Sequence, residues 1–191
     1  MNLRVLLAFL LLAMLTTEVH SWWGRRRRST RPPPRPSTGG RSPAGGPARN
    51  PNAVVCNHYR SSNRLTCRKG RSSVTCTTQP PRERNDRRYG GPTPRGEYLI
   101  GNRYTNPRYN IDWYNLYPKK EDNSGYYGYT QRTRTGRYAM GLHPGRTSLG
   151  CVTVRAPTYN SDACWQRIRR VIDSGYMYYR GSSYSGFLFV S

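Results

Sequence analysis

Tyr138-Ala-Met-Gly-Leu-His143-Pro-Gly-Arg-Thr-Ser148-Leu-Gly150-Cys151-Val-Thr-Val154 places one histidine, one serine and one cysteine within nine residues. The alternation of Tyr138, Met140 and Leu142 predicts a strand leading in, and the run from Cys151 to Val154 predicts a strand leading out. A glycine-broken loop joins them, and the chemistry sits at that junction. A cysteine attacks only as thiolate, so it needs a base close by. A loop carrying His143 beside the strand that begins at Cys151 supplies one, and rapid alkylation at mildly acidic pH is the sign expected of such a pair. Gly145 and Gly150 let this backbone turn tightly and approach a substrate closely.

The chain has three histidines. His20 falls in a leader expected to be removed, which leaves His58 and His143. Only His143 has a Ser-x-Gly-Cys element next to it; His58 reads as a strand-surface residue. The plainer alternative is a disulfide cysteine with a surface histidine nearby.

Working outward, the amino-terminal end has Arg4 followed by an apolar run, 5–15, too short to span a bilayer comfortably. Polar residues follow, and Val19 and Ser21 stand where small residues precede a signal-peptidase cut. Residues 1–21 are expected to be a signal peptide, with Trp22 the mature terminus and an oxidising, extracellular destination. No second apolar run reaches membrane length. The formal charge is +23 and comes almost wholly from arginine, the only lysines being Lys69, Lys119 and Lys120. Such a chain adheres to polyanions: anionic membranes, sulfated glycans, bacterial envelope polymers or nucleic acid. Secretion argues against a dedicated nucleic-acid role. Residues 22–52, with Arg25-Arg-Arg-Arg28 and Arg31-Pro-Pro-Pro-Arg-Pro36, cannot build a core and read as a disordered basic arm. The arm is either a linker or an electrostatic tether.

Residues 53–191 change texture. Strands are expected at 54–60, 64–68 and 72–78, with turns at Asn63 and Gly70, and further strands at 97–100, 114–117 and 126–130. Asp112 and Trp113 are placed in a loop bordering a cleft. One helix is predicted, capped by Ser161 or Asp162, with Cys164, Trp165, Ile168, Val171 and Ile172 on its apolar face and Gly175 after its end. Segments 176–179 and 186–190 close the domain as strands. The fold class is mainly β with one helix in the carboxy-terminal half. The hydroxyphenyl groups of 102–137 read as half-buried faces of a small sheet.

Five cysteines leave at least one unpaired within the chain. If Cys151 is that one, Cys56, Cys67, Cys76 and Cys164 make two bridges, in three possible pairings. Hairpin geometry leans towards Cys56 with Cys67, since a turn at 61–63 sets them almost opposite each other. No His or Cys spacing suits zinc and no acidic cluster suits calcium, so neither metal nor cofactor is expected.

In order along the chain stand Gly91-Pro-Thr-Pro-Arg-Gly-Glu-Tyr-Leu-Ile-Gly101, Leu116-Tyr-Pro118, Gly141-Leu-His143 and Ser148-Leu-Gly-Cys151. Together they resemble the L,D-transpeptidase catalytic domain, in the compact branch known from type VI secretion effectors. The resemblance spans residues 54–191 and implies a β-sandwich-like domain. It further implies that His143 takes the proton of Cys151. The thiolate would then attack the L,D-amide of a peptidoglycan stem peptide, expel D-alanine and leave a thioester for an amine or water to resolve. Gly150 and Cys151 N–H groups become the expected oxyanion donors. Ser148 would either hydrogen-bond His143 or the thiolate, or stabilise the turn. Leu149 stands where many members carry a second histidine, and Thr153 where an arginine follows the cysteine. Arg146 and Arg155 are then the nearest candidates for binding a substrate carboxylate. The resemblance leaves transpeptidase and carboxypeptidase outcomes open, and a secreted domain of this kind is expected to act against bacteria, with the arm holding anionic envelope polymers. The rival reading is a non-catalytic, arginine-rich matrix or antimicrobial protein that binds cell wall or another polyanion.

Overall fold

The meander expected at 54–78 is formed by β1 (Val54–Tyr59), β2 (Arg64–Lys69) and β3 (Ser72–Thr77), paired antiparallel in succession. Its turns pass through Asn63 and Gly70, whose φ angles of 49° and 54° suit asparagine and glycine. The computed structural model describes residues 50–121 and 127–191. The expected signal peptide and residues 22–49 of the expected arm lie outside the described residues. At the end of that arm, Asn50 O accepts from Ala53 N–H at 3.1 Å, and Asn52 O accepts from Tyr176 N–H at 2.8 Å.

The remaining elements are β4 (Gly96–Asn106), β5 (Ile111–Glu121), β6 (Tyr127–Tyr129), β7 (Gly141–Gly145), β8 (Val152–Arg155), α1 (Ala163–Asp173), β9 (Met177–Tyr179), β10 (Ser182–Tyr184) and β11 (Gly186–Val190). The main sheet has the order β3-β2-β1-β11-β4-β5-β7-β8, with β6 paired to β5, while β9 and β10 form a separate hairpin. β11, the most apolar strand, runs parallel to β1 and antiparallel to β4 in the middle of the sheet. The two ends of the sheet meet just past β3. Thr78 forms a bridge with Val154, and Gln79 N–H donates to Thr153 O at 2.8 Å. This contact satisfies part of what would be an open edge, and it brings the segment that follows β3 against β8.

The domain is therefore mainly β with one helix, as expected, and several boundaries move. β4 and β5 are eleven residues each, longer than their apolar segments, so Asp112 and Trp113 lie in a strand and not in a loop. The long β4–β5 ladder carries them, with Tyr104 opposite Trp113 and Thr105 opposite Asp112. The strand before the central turn begins at Gly141 and contains His143 itself. His58, expected on the surface, is buried on β1.

Asp162 caps α1, accepting from the Cys164 and Trp165 N–H groups at 2.9 and 3.2 Å. The helix buries Trp165, Ile168, Val171 and Ile172, a face worth about 2 kcal/mol per side chain. It is tied down in two further ways. Cys76 and Cys164 form a disulfide between β3 and the helix, and the buried Asp112 accepts from Trp165 Nε1 at 3.1 Å and from Arg169 at 2.8 Å. Burial opposes the Asp112 charge, yet the hydrogen bonds from Trp165, Arg169 and Arg103 hold its pKa below the usual carboxylate range. The second disulfide joins Cys56 to Cys67, directly opposed residues of β1 and β2. The lean towards that pairing holds, and Cys151 is left as a free cysteine.

Loop-closure entropy separates the two bridges. Cys76–Cys164 spans 88 residues and Cys56–Cys67 spans 11. Replacing Cys76 and Cys164 together by alanine is expected to cost about 4.6 kcal/mol, against about 2.8 kcal/mol for Cys56 and Cys67. Urea denaturation of the two double variants checks the order; a larger loss for the short bridge would show that chain entropy does not govern them.

Candidate active site

β7 and β8 lie parallel, with Leu142 beside Val152 and His143 beside Thr153. Because side chains alternate along a strand, Gly141, His143 and Thr153 share one face. The pairing puts Cys151, one residue before β8, level with Gly141, and Gly141 N–H donates to the Cys151 sulfur.

The imidazole of His143 has a defined tautomer. Its Nδ1 lies 2.9 Å from Pro144 O, an oxygen that can only accept, so Nδ1 carries the proton. Nε2 then holds the lone pair and accepts from Thr153 Oγ1 at 3.3 Å. The ring stacks on the Trp113 indole, centroids 4.3 Å apart and planes within 5°. This stack explains Gly141: a Cβ there would run into the Trp113 ring. Trp113 is fixed in turn by its Nε1–H, which donates to Asn115 Oδ1 at 3.1 Å, the same oxygen that Tyr104 Oη reaches at 3.3 Å.

The turn that presents Cys151 is built by parts distant in sequence. Ser148 Oγ donates to Cys151 O at 2.8 Å and accepts from Gly150 N–H at 3.2 Å. Of the two roles open to Ser148, these bonds are those of turn stabilisation. Thr93 Oγ1 donates to Gly150 O at 2.9 Å, and Gly90 N–H to Leu149 O at 3.1 Å, so the Pro-Thr-Pro-Arg-Gly segment braces the cysteine turn. Beneath it lies Arg137, whose Nη1 donates to Pro92 O at 2.8 Å and to Gly91 O at 3.1 Å. Gly150 has a φ of 117°, and a Cβ on it would collide with the Arg137 guanidinium. That crowding, and not access to substrate, is why glycine stands at 150.

Two expectations change here. The Gly150 N–H, expected as an oxyanion donor, is taken by Ser148 Oγ, and the backbone donor that reaches the sulfur is Gly141 N–H. The expected low-pKa thiolate is also absent. Burial pushes the Cys151 thiol up to about 11, although Gly141 N–H and the Arg137 charge pull the other way. Burial also pushes His143 down to about 4, with the Pro144 carbonyl opposing it weakly. Both groups are neutral near pH 7, and the hydrogen bonds of the imidazole go to Pro144 and Thr153 rather than to the thiol.

Cys151 and Ser148 line a cleft of about 300 Å³ whose other wall includes His58, Arg60, Arg84 and Arg95. Arg146 and Arg155 do not line it. Arg146 Nε donates to Pro157 O at 2.9 Å and its guanidinium lies over the Tyr159 ring, while Arg155 is exposed at the end of β8. Sequence reasoning missed Arg137, Trp113 as the imidazole's partner, and His58. For Trp113 the usable signal was Gly141, a side-chain-free position on the same strand as the histidine. Among the described residues no cluster of His, Cys, Asp or Glu is arranged to hold a metal, and no helix is long and apolar enough to cross a membrane.

No protein-family model and no curated protein matches the chain. Solved structures do. It is similar to the L,D-transpeptidase LdtMt1 in complex with imipenem, at 12% identity and a TM-score of 0.37, over 73% of this chain and 59% of that one. It is also similar to L,D-transpeptidase 3 from Mycobacterium tuberculosis, at 15% identity and a TM-score of 0.37, over 73% of this chain and 61% of that one. The match thus spans about three fifths of the length of either structure.

Two outcomes are expected of this electrostatic arrangement. Alkylation of Cys151 by iodoacetamide should follow the thiolate fraction, rising about tenfold per pH unit from pH 7 towards a plateau near 11; a plateau below pH 8 would reveal a preformed ion pair. His58 and His143 both have folded values of about 4 against 6.5 unfolded. The unfolded chain therefore takes up protons that the folded chain refuses as pH falls from 6.5 to 4. Stability should drop across that window by up to about 1.4 kcal/mol per pH unit for each histidine, read as a fall in unfolding free energy that His143→Gln lessens.

Proposed function

We propose that the chain is a secreted, cysteine-dependent enzyme that cleaves or exchanges the L,D-amide of bacterial peptidoglycan stem peptides. The observation that carries this reading is the juxtaposition on the β7–β8 pair. A free thiol lines a cleft, a backbone N–H is aimed at its sulfur, and a neutral imidazole on the same face of the β7–β8 pair offers its Nε2 lone pair. The ordered motifs from Gly91 to Cys151 support the same reading, with Thr93 of the first bonded to Gly150 of the last.

In this mechanism the Cys151 proton passes to His143 Nε2 as substrate displaces the Thr153 hydroxyl. The sulfur attacks the carbonyl carbon of the amide, and the oxygen takes the negative charge. Collapse breaks the C–N bond, the imidazolium protonates the departing amine, and a thioester remains. Water or an acceptor amine then attacks the thioester, restoring the thiol; the choice of acceptor decides between carboxypeptidase and transpeptidase outcomes. A thiol of pKa about 11 beside an imidazole of pKa about 4 forms no resting ion pair. The proton therefore moves with the attack, and desolvation by the bound peptide is compensated only when charge reaches the oxyanion. The leader directs the chain out of the cell that makes it, the two disulfides fit an oxidising compartment, and the arginine-rich arm holds the enzyme to anionic envelope polymers, in an antibacterial role.

A second reading is favoured by the neutral resting pair: a non-catalytic, arginine-rich protein that binds cell wall or another polyanion through charge alone. Incubating the purified chain with muropeptides separates the two. The enzyme reading expects a mass loss of one D-alanine, or its exchange for an added amine, abolished in Cys151→Ala and slowed about 10²- to 10⁴-fold in His143→Gln. Unchanged muropeptides, with Cys151→Ala still sedimenting with cell walls as wild type does, would establish the binder.

A further inference from the structure

The face that carries His143 continues past the imidazole, and the catalytic steps use none of what lies there. Trp113, stacked on His143 at 4.3 Å, is followed by Tyr109, whose ring lies 6.5 Å from the indole with the planes within 18°. Across the β4–β5 ladder Tyr104 stands directly opposite Trp113. Tyr104 and Tyr109 are 39% and 51% exposed, whereas Tyr114, Tyr117 and Tyr129 of the same tyrosine-rich stretch are buried or half-buried against the cores. A lone exposed ring is ordinary; two that flank a third beside a candidate active site form a patch that calls for a ligand.

The edges of the patch say what kind. The Arg108 guanidinium stands over Tyr109, 5.3 Å from the ring centroid, and makes no ion pair among the described residues. Flat rings rimmed by hydroxyl and guanidinium groups suit a pyranose, whose C–H face stacks on the ring while its hydroxyls bond at the rim. They do not suit an acyl chain, since residues 102–110 include no leucine, isoleucine, valine or phenylalanine. Between the sulfur and the rings lies Asn115, paired with Gly141, whose N–H reaches Cys151. Asn115 Oδ1 accepts from Trp113 Nε1–H at 3.1 Å and from Tyr104 Oη–H at 3.3 Å. Two donors on the oxygen fix the orientation of the amide, and the Nδ2 hydrogens have no acceptor among the described residues. The path from Cys151 to Tyr109 therefore passes a donor that a peptide carbonyl can fill and ends on an aromatic shelf. In a stem tetrapeptide three residues separate the L,D-amide from the sugar that bears the stem, a reach of at most about 11 Å. The Tyr109 ring stands within that distance of the imidazole.

We propose that Tyr104 and Tyr109 form a saccharide subsite for the N-acetylated amino sugar from which the stem peptide hangs, with Asn115 Nδ2 donating to a stem carbonyl on the way to Cys151. The assignment rests on the catalytic reading above and deepens it. The preferred substrate becomes a stem still attached to its glycan, and a peptide without sugar is a poor one. Arg108 supplies donors to the sugar hydroxyls. Stacking acts at contact and needs no net charge, so this recognition is separate from the long-range attraction that draws a basic chain to envelope polymers.

The test uses the full chain carrying Cys151→Ala, so that binding is read without turnover. The tetrapeptide L-alanyl-γ-D-glutamyl-meso-diaminopimelyl-D-alanine is titrated by calorimetry free and attached to N-acetylglucosaminyl-N-acetylmuramic acid, both at about 0.5 M salt, where surface charge is largely screened. The sugar-bearing form is expected to bind about tenfold more tightly, the size of one aromatic stacking contact. Tyr109→Ala should remove most of that advantage, and Tyr109→Phe should keep it, because the ring and not the hydroxyl stacks. Tyr178→Ala, which takes an exposed ring from the β9–β10 hairpin, must leave it intact. Equal binding of the two forms, no binding of either, an advantage undiminished in Tyr109→Ala, or an equal loss in the Tyr178 control would overturn the subsite. So would a Tyr109→Ala variant that loses affinity for single-stranded oligothymidylate and not for the sugar, which would give the rings to nucleobases. A sugar advantage in a chain whose wild type leaves muropeptides unchanged would keep the subsite and remove the enzyme; equal turnover of the sugar-bearing and free tetrapeptides would do the reverse.

Discussion

The parallel ladder between β7 and β8 is only four residue pairs long, and the site depends on it. Parallel neighbours are ordinarily joined by a crossover of a dozen or more residues. Here residues 146–151 make the return, so the chain doubles back within a single loop, and that loop has to be held from outside. Thr93, Gly90 and Arg137 do so through Gly150 O, Leu149 O and the carbonyls of Gly91 and Pro92. Were the register to slip by one residue, His143 and Thr153 would turn to the opposite face and Gly141 N–H would lose the sulfur. Two backbone segments, neither bearing the nucleophile, thus determine where the nucleophile points.

Desolvation governs the electrostatics of this region, despite a formal charge of +23 on the chain. Arg137 lies directly under the cysteine turn and favours the thiolate, yet burial prevails and the thiol rests near 11. The guanidinium is itself lowered by burial, and its hydrogen bonds to backbone carbonyls spend it as a structural strut. Charge on the surface is screened within about 8 Å at physiological salt. The abundant arginines therefore act on what approaches the domain, and the site's reactivity is set by a few fixed dipoles.

What the sequence disclosed and what it hid divide along physical lines. The β1–β3 meander was legible because period-two burial and left-handed turn residues, Asn63 and Gly70, are local signals. Asp162 and the apolar face of α1 were legible for the same reason. The pairing of Cys56 with Cys67 followed from hairpin geometry. The length of β4 and β5 was not, because residues such as Arg103 and Asp112 have no strand signature and are held by each other across the ladder and by α1. Asn160 Oδ1 likewise accepts from Asp112 N–H at 2.9 Å across 48 residues. His58 was misplaced since its burial comes from the sheet curling until Thr78 meets Val154, a contact that no window of sequence contains. The candidate site was legible as a list of residues around one turn, and its arrangement was set by partners outside that turn, Thr93 at Gly150 O and Trp113 on the His143 ring among them.

That dependence has a direction. The helix buries Trp165, whose Nε1–H donates to Asp112, and Arg169 on the next turn closes on the same carboxylate. Asp112 fixes β5 at the residue before Trp113. The indole lies flat on the His143 ring and occupies the space above Gly141. Holding the ring by its face leaves it only the half-turn about Cβ–Cγ that keeps it stacked, and the Pro144 carbonyl selects one of those two orientations by binding Nδ1. The disulfide from Cys76 to Cys164 anchors the helix at its first turn. An element that begins twelve residues after the nucleophile thereby sets the orientation of a base eight residues before it, through one carboxylate and one stacked ring. Rigid support of this kind is what a neutral pair requires: with no ion pair to draw thiol and imidazole together, only the scaffold can hold them within reach of a shared substrate.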